Sequence, residues 1–424
     1  MHLLDHQLAG LDRLEGFNRC AFVWDMGTGK TFAGAEKLYQ LRAVNNIIVC
    51  QKSMIKTWLN HFLKFYGEYY IINCICDLTD KNGLQLFLKM KDVKYGMNIG
   101  IINYDILFRR PALKNIPDLT LMLDESSIIQ NESTARAKFI MKMQHENVIL
   151  LTGTPVSGKY ENLYTQMCLL GYKLDKNAFY NMYINYHIEK VGRNHREIDG
   201  YKNVDHLKKR LRSLGCDFLK TSDVITLPQQ NFIDIHIPCT KQYKTFIKDK
   251  IVTVEDTKLI GDTRLTEYLY ARQLASVYNP SKLDAYVDLL NSTSDGFVVF
   301  YNFTVELEKL LSVTHDRPVS IVNGSMKDLT AYEENDNAIV FVQYQAGSMG
   351  LNLQKYNRVI YFSPTNRSEL YEQSKKRIHR IGTTKPCFYY LLKCAIEYNI
   401  YDTLDLRRDY TDLLFEQNKT HYLV

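Results

Sequence analysis

The stretch WDMGTGKT, Trp24 to Thr31, carries the residue types that grip phosphate. Glycines let backbone N–H groups come close to an anion, a lysine brings a point charge to the β and γ phosphates, and a threonine hydroxyl reaches Mg2+. The general pattern is G-x-x-x-x-G-K-[ST], and Trp24 stands where its first glycine belongs. Gly29, Lys30 and Thr31 fill the later positions, and Gly27 adds a second glycine. The apolar run AFVW leads into the loop and the helix-forming FAGAEKLYQL follows it. That is the strand–loop–helix setting in which a helix N-terminus faces phosphate.

Further along, LTLMLDESS sets Asp124 and Glu125 at the end of an apolar strand. In an open parallel sheet ligands gather beyond the carboxyl ends of the strands. The pair is therefore a candidate for the same site, with Asp124 holding Mg2+ and Glu125 orienting or deprotonating the attacking water. On its own, an acidic pair there is most often a solvated turn, and the phosphate loop is what turns the reading toward chemistry. LLTGTP (150–155) puts Thr152 and Thr154 at another strand end, where hydroxyls either contact the acidic pair or phosphate or cap a helix. In SELYEQSKKRIHRIG, Gln373, Arg377 and Arg380 recur at steps of four and three, so a helix would line them on one face. Such a face is either a solvated basic surface or a source of two guanidinium groups for the γ-phosphate across an interdomain cleft.

These residues need a frame, and the apolar runs supply one. AFVW (21–24), NIIVC (46–50), IGIINY (99–104), LMLD (121–124) and VILLTG (148–153) are continuous rather than alternating, as in strands of a parallel sheet covered on both faces. A second set follows: GFVVFYNF (296–303), PVSIVNG (318–324), NAIVFVQ (337–343), RVIYFSP (358–364) and CFYYLLK (387–393). Two α/β parallel sheets in succession are expected, lobes of 1–225 and 226–424. Residues from about 156 to 290, rich in Tyr, Lys and Asn, read as helical between the sheets, with one short strand, NFIDIHIP. The insertion proper is placed at about 156–225 of the first lobe.

Composition bounds the classes. At 424 residues two domains are the natural division. With 46% hydrophobic and 24% charged residues the chain reads as soluble and globular, and a net charge of +6 permits a polyanionic partner without demanding one. The nine cysteines include no C-x-x-C pair, which supports neither a zinc site nor a disulfide framework. Cys74 and Cys76 read as alternate positions on a strand. The start, MHLLDHQLAG, lacks a basic head followed by a long apolar run, and no window is long enough to cross a bilayer. A reduced cytoplasmic setting and a monomer are expected.

Taken in order, LLDHQ (3–7), DMGTGKT (25–31), IIVCQKSMIKTWLNHF (47–62), IINYDIL (101–107), LDESSIIQN (123–131), LLTGTPVSGKYENLY (150–164), FVVFYNF (297–303), NGSM (323–326), AGSMGLNLQKYNRVIYF (346–362) and EQSKKRIHRIGTTKP (372–386) resemble the Swi/Snf-type DNA translocases of helicase superfamily two. The resemblance covers nearly the whole chain. It implies two RecA-like lobes with ATP between them and duplex DNA across both. It implies that Gln7 reads the adenine, that Gly27, Gly29, Lys30 and Thr31 cradle the phosphates, and that Thr31 and Asp124 hold Mg2+, partly through water. Glu125 with Asp124 would hydrolyse ATP, Arg377 with Arg380 would complete the site from the second lobe, and Gln373 and Gly350 would line it. Thr152, Thr154 and Asn352 would link nucleotide state to nucleic acid. Lys52, Ser53, Asn103 and Tyr104 match first-lobe segments that meet the DNA backbone, and Gly324 and Ser325 match one in the second. In this family the loop is shortened, and a bulky residue is tolerated at Trp24.

The sequence also departs from the family pattern. Ser127 replaces a histidine, Gln51 a proline and Ser348 a glycine. The short insertions, without histone-reading, zinc or nuclease modules, resemble phage or mobile-element members. Translocation along duplex DNA is the expected activity. A strand-separating DNA or RNA helicase and an ATP-gated scaffold without productive hydrolysis are the alternatives.

Overall fold

A computed structural model describes residues 3–66, 71–191, 193–347 and 351–415. The chain divides into two compact units: Met1–Ile225 together with Asp409–Val424, and Thr226–Arg408.

The first unit is built on β1 (Arg19–Trp24), β2 (Asn45–Cys50), β3 (Ile72–Asp77), β4 (Met97–Asn103), β5 (Leu119–Asp124) and β6 (Asn147–Thr152). It adds a hairpin, β7 (Ile184–Val191) with β8 (Arg193–Tyr201), and a short strand, β9 (Cys216–Leu219). Seven of these form one parallel sheet in the order β3-β4-β2-β5-β6-β1-β9. Successive side chains of a strand serve opposite faces. Ala21 and Val23 enter one core while Cys20, Phe22 and Trp24 enter the other. Both faces are covered, which is why these strands are apolar without interruption. Three helices of this unit are α1 (Asp5–Arg13), which carries Gln7, α2 (Lys30–Gln40), which opens with Lys30 and Thr31, and α3 (Ile55–Phe65).

The second unit repeats the plan. It uses β10 (Gln230–His236), β11 (Ile251–Val254), β12 (Thr257–Ile260), β13 (Phe297–Tyr301), β14 (Val319–Val322), β15 (Lys327–Asp328), β16 (Ile339–Gln343), β17 (Arg358–Tyr361) and β18 (Cys387–Lys393). The sheet order is β10-β18-β17-β13-β16-β14-β15, parallel except at β15. Val298 and Phe300 enter one core, Phe297, Val299 and Tyr301 the other.

The region from 156 to 290 is mixed rather than helical. Alongside helices Leu163–Leu169, Lys176–Tyr183, Val204–Ser213, Lys241–Asp249, Arg264–Ala275 and Pro280–Asn291 it holds the β7/β8 hairpin, β9 beside β1, β10 at a sheet edge and the β11/β12 hairpin. In the β7/β8 hairpin Ile184, Tyr186, Ile198 and Tyr201 pack on the core, but polar residues separate them, so the hairpin lacks the continuous apolar run that marks a strand of the central sheets. The last helix, Ile396–Phe415, begins in the second unit, but residues from 409 on belong to the first. There Tyr160 Oη donates to the Tyr410 carbonyl at 2.9 Å, Gly158 N–H to Thr411 Oγ1 at 3.2 Å, and Lys220 meets Asp412 at 3.0 Å. The second unit ends at Arg408, short of the expected 424.

All nine cysteines are free, and Cys74 and Cys76 lie on β3. Among the described residues no helix is long and apolar enough to cross a membrane.

On α3, His61 is 6% exposed among the rings of Phe32, Trp58, Phe62, Phe65 and Tyr66. Burial pushes its imidazole from the usual 6.5 down to about 4. The folded state keeps it neutral, whereas the unfolded chain takes up the proton below its ordinary value. Stability from this group is therefore complete above pH 6.5 and is lost as pH falls toward 4. The loss is on the order of 3 kcal/mol at most. Urea unfolding at neutral pH and at the acid end of that window should show a smaller acid loss in His61→Phe than in the parent.

Candidate functional site

The loop after β1 is held from three sides. Trp24 is the last residue of β1 and fully buried. Its indole Nε1 donates to Asp217 Oδ2 at 2.7 Å, and Arg13 grips the same carboxylate through Nε at 2.7 Å and Nη2 at 2.9 Å. Gly10 is required where α1 crosses this ring, since a Cβ there would lie 2.3 Å from it. The place of the absent first glycine is thus a strand position whose side chain packs into the core.

From β9, Leu219 O accepts the Asp25 N–H at 2.8 Å, Thr221 N–H donates to Asp25 Oδ2 at 3.1 Å, and Thr221 Oγ1 donates to the Met26 carbonyl at 3.2 Å. From α1, His6 Nε2 meets the Thr28 carbonyl at 2.8 Å, and Gln7 Nε2 reaches the carbonyls of Thr28 (3.4 Å) and Gly29 (3.3 Å). Gln7 Oε1 accepts the Leu4 N–H at 2.8 Å. Gln7, expected to read adenine, is buried and has its amide committed to the loop.

Gly27 (φ 86°) and Gly29 (φ 80°) are left-handed, and α2 begins at Lys30 with Thr31 in its first turn. Lys30 Nζ donates to the carbonyls of Trp24 at 2.8 Å and Asp25 at 3.0 Å. A Cβ on Gly153 would lie 3.6 Å from that ammonium, so the end of β6 adjoins the loop.

Register brings the acidic pair to the same rim. Val23 of β1 is level with Thr152 of β6, and Leu151 of β6 with Asp124 of β5. Asp124 Oδ2 accepts the Trp58 indole N–H at 2.9 Å, and its backbone carbonyl accepts the Tyr104 hydroxyl at 2.9 Å. Burial pushes the Asp124 carboxyl up, while the Trp58 hydrogen bond and the Lys30 charge pull it back. Glu125 is left-handed at φ 56°. Ser126 Oγ donates to Gln166 Oε1 at 2.8 Å, and Gln166 Nε2 donates to the Pro155 carbonyl at 2.7 Å. Thr152 Oγ1 accepts the Thr154 N–H at 3.2 Å, so it closes its own turn, and Thr154 Oγ1 is buried without a hydrogen-bond partner.

Mg2+ prefers oxygen ligands and keeps much of its water, relying on one or two carboxylates and substrate phosphates rather than a full protein cage. Among the described residues no group of three or more His, Cys, Asp or Glu could hold a metal. Thr31 and Asp124 offer hydroxyl and carboxylate oxygens beside a phosphate loop, a donor set that fits the ion.

The nucleic-acid candidates divide. Lys52 and Ser53 are exposed on the turn after β2. Gly324 and Ser325 are exposed on a turn closed by Asn323 Oδ1, which accepts from Ser325 N at 2.9 Å and Met326 N at 2.8 Å. Asn103 and Tyr104 are buried, and the Tyr104 phenol supports the acidic turn.

In the second unit the helix carrying Gln373 is Ser368–Lys375, so Arg377 and Arg380 lie beyond it rather than on its face. The Tyr389 hydroxyl donates to the Lys375 carbonyl at 3.0 Å, and the chain turns away. Leu353 N–H donates to the Arg377 carbonyl at 3.0 Å, Arg377 Nη1 reaches the Leu351 carbonyl at 3.5 Å, and Arg380 Nη1 donates to Asn352 Oδ1. Asn352 and the two arginines are thus assembled together. Gln373 is buried and its Oε1 lacks a hydrogen-bond partner. Gly350 and Ser348 lie outside the described residues.

The SNF2-related domain matches the chain over residues 12–278 and the helicase conserved C-terminal domain over residues 281–382. The chain belongs to the SNF2-related family. Among relatives of this SNF2-related chain, the human SWI/SNF-related matrix-associated actin-dependent regulator of chromatin subfamily A member 1 is 22% identical over 98% of this chain and 44% of its own length. The Saccharomyces cerevisiae ISWI chromatin-remodeling complex ATPase ISW2 is 24% identical over 92% and 38%. The chain spans less than half the length of these relatives. A solved Sulfolobus solfataricus SWI2/SNF2 ATPase core in complex with dsDNA is 18% identical, covering 99% of this chain and 94% of that one, with a TM-score of 0.44.

Asp217, Arg13, Trp58 and Gln166 do not stand out in the sequence. Trp58 lies within the family-like run IIVCQKSMIKTWLNHF, its one signal.

Gly27→Ala meets no atom within 4 Å and bears only left-handed strain, about 1–2 kcal/mol. Gly29→Ala bears that strain and also sets its Cβ 2.1 Å from Gln7 Nε2. Titration with a fluorescent ADP should show Gly29→Ala weakening binding by about tenfold more than Gly27→Ala, the equivalent of about 1.4 kcal/mol.

Proposed function

We propose that this protein hydrolyses ATP to drive movement along duplex DNA. One observation carries the reading: the phosphate loop with Lys30, the Thr152 turn and the Asp124–Glu125 pair leave the carboxyl ends of three neighbouring parallel strands. Family membership and the names of the relatives support it.

In this reading the loop N–H groups and Lys30 bind the phosphates, and Thr31 with Asp124 holds Mg2+. When bound, Mg2+ neutralises charge that builds on the phosphate oxygens. Glu125 orients the attacking water and accepts its proton. Arg377 and Arg380 would contribute guanidinium charge to the γ-phosphoryl group as it passes to water and ADP leaves. Lys52, Ser53, Gly324 and Ser325 sit on exposed turns and hold the DNA backbone, which carries little sequence information. Binding is accordingly sequence-tolerant and weakens with salt.

Steady-state ATPase assays with and without duplex DNA test the reading, paired with displacement of a triplex-forming strand. Lys30→Ala and Glu125→Gln should abolish DNA-stimulated turnover with the fold intact by circular dichroism. Arg377→Ala should retain ATP binding and lose hydrolysis. Release of single strands from a labelled duplex without triplex displacement would replace translocation by strand separation.

A further inference from the structure

We infer that Trp58 is a positioning residue for the metal-facing carboxylate of Asp124, and that the aromatic cluster around it sets both protein oxygens expected at the ion. This rests on the proposed role of Asp124. The indole of Trp58 is fully buried on α3, and its N–H donates to Asp124 Oδ2 at 2.9 Å. On the other side of the residue the Tyr104 hydroxyl holds the Asp124 carbonyl. The side chain and the main chain are thus each pinned by a donor from a different element, while a carboxylate, with about four lone-pair sites, keeps acceptor capacity for an ion or its water.

The choice of donor has a chemical logic. An indole N–H donates only, so it cannot compete as a base. It is also neutral, whereas a lysine or arginine in its place would orient the carboxylate and repel the cation. The ring is itself fixed. It stacks on Phe62 at 6.0 Å and meets His61 edge-on at 5.8 Å, and His61 meets Phe32 at 4.8 Å. Phe32 directly follows Thr31 in α2, so the same packed rings locate the threonine that carries the hydroxyl.

A purely structural account is available, because a buried indole N–H needs an acceptor whatever the acceptor does. The two accounts differ in metal affinity. Groups that hydrogen-bond a metal-ligating side chain typically matter by about 10–100-fold in metal affinity, and a mere core-filler does not.

The test uses the full chain, with Mn2+ as the paramagnetic probe for Mg2+. Electron paramagnetic resonance titration of the ADP-bound protein should show Trp58→Phe binding Mn2+ about 10–100-fold more weakly, with ADP affinity in EDTA within about twofold of the parent. Asp124→Asn is the companion. If Asp124→Asn weakens Mn2+ binding and Trp58→Phe does not, the positioning role is overturned and the site reading stands. If Asp124→Asn leaves Mn2+ binding unchanged, the site reading itself fails. A second measurement does not need the Trp58 variant to fold. The chain has two tryptophans, and in 15N-labelled protein one indole N–H resonance should move in Asp124→Asn without nucleotide. Two unmoved indole signals would overturn the inference.

Discussion

The parallel register of β5, β6 and β1 is the constraint on which the candidate site depends. Parallel neighbours present their carboxyl ends on one edge of the sheet, so the segments that follow Asp124, Thr152 and Trp24 leave from the same rim. No loop has to travel to meet another. The same constraint demands apolar residues on both faces of each strand, and the polar chemistry is confined to the last residue of a strand and the few that follow it.

The loop itself depends on a less obvious contact. Asp217 of β9 is buried, and a carboxylate in such a place is costly unless it is paired and fully hydrogen-bonded. It receives both arms of an Arg13 fork and the Trp24 indole. One carboxylate therefore ties α1, β1 and β9 together directly beneath the loop. With the strand end and both flanking elements fixed, a loop shorter than the general pattern still has its backbone held in place. Trp24 is the piece that replaces the missing glycine's slack with a fixed anchor.

Sequence makes visible what is local. The glycine pair, Lys30 and Thr31 are contiguous, and the acidic pair announces itself by ending an apolar run. The strands of both sheets are legible because burial on two faces leaves a continuous apolar signature. The β7/β8 hairpin is not, because neither of its faces carries that signature, and β9 is only four residues long. The arginine pair is misplaced by sequence for a related reason. A step of four and three is a helical spacing, but spacing does not say where a helix stops. Here the chain turns after Lys375, held by the Tyr389 hydroxyl and by the Thr383 hydroxyl, which donates to the Ile378 carbonyl at 2.6 Å. Asn103 and Tyr104, which match a family segment that meets the DNA backbone, are buried. Their burial follows from the packing of neighbouring elements, which one segment cannot reveal.

The same distinction bears on Ser127, which stands where the family pattern has a histidine. Serine is shorter than histidine and reaches less far toward a neighbouring segment. The structure has a link one residue earlier: Ser126, fully buried, donates to Gln166, whose amide donates onward to the Pro155 carbonyl. Both ends of the Gln166 amide are used, in an interior where an unmade hydrogen bond costs more than a made one gains. A shift of either segment therefore strains the other through helix Leu163–Leu169. The connection between acidic turn and threonine turn is carried by hydrogen bonds to a third element, and a substitution at position 127 does not by itself remove it.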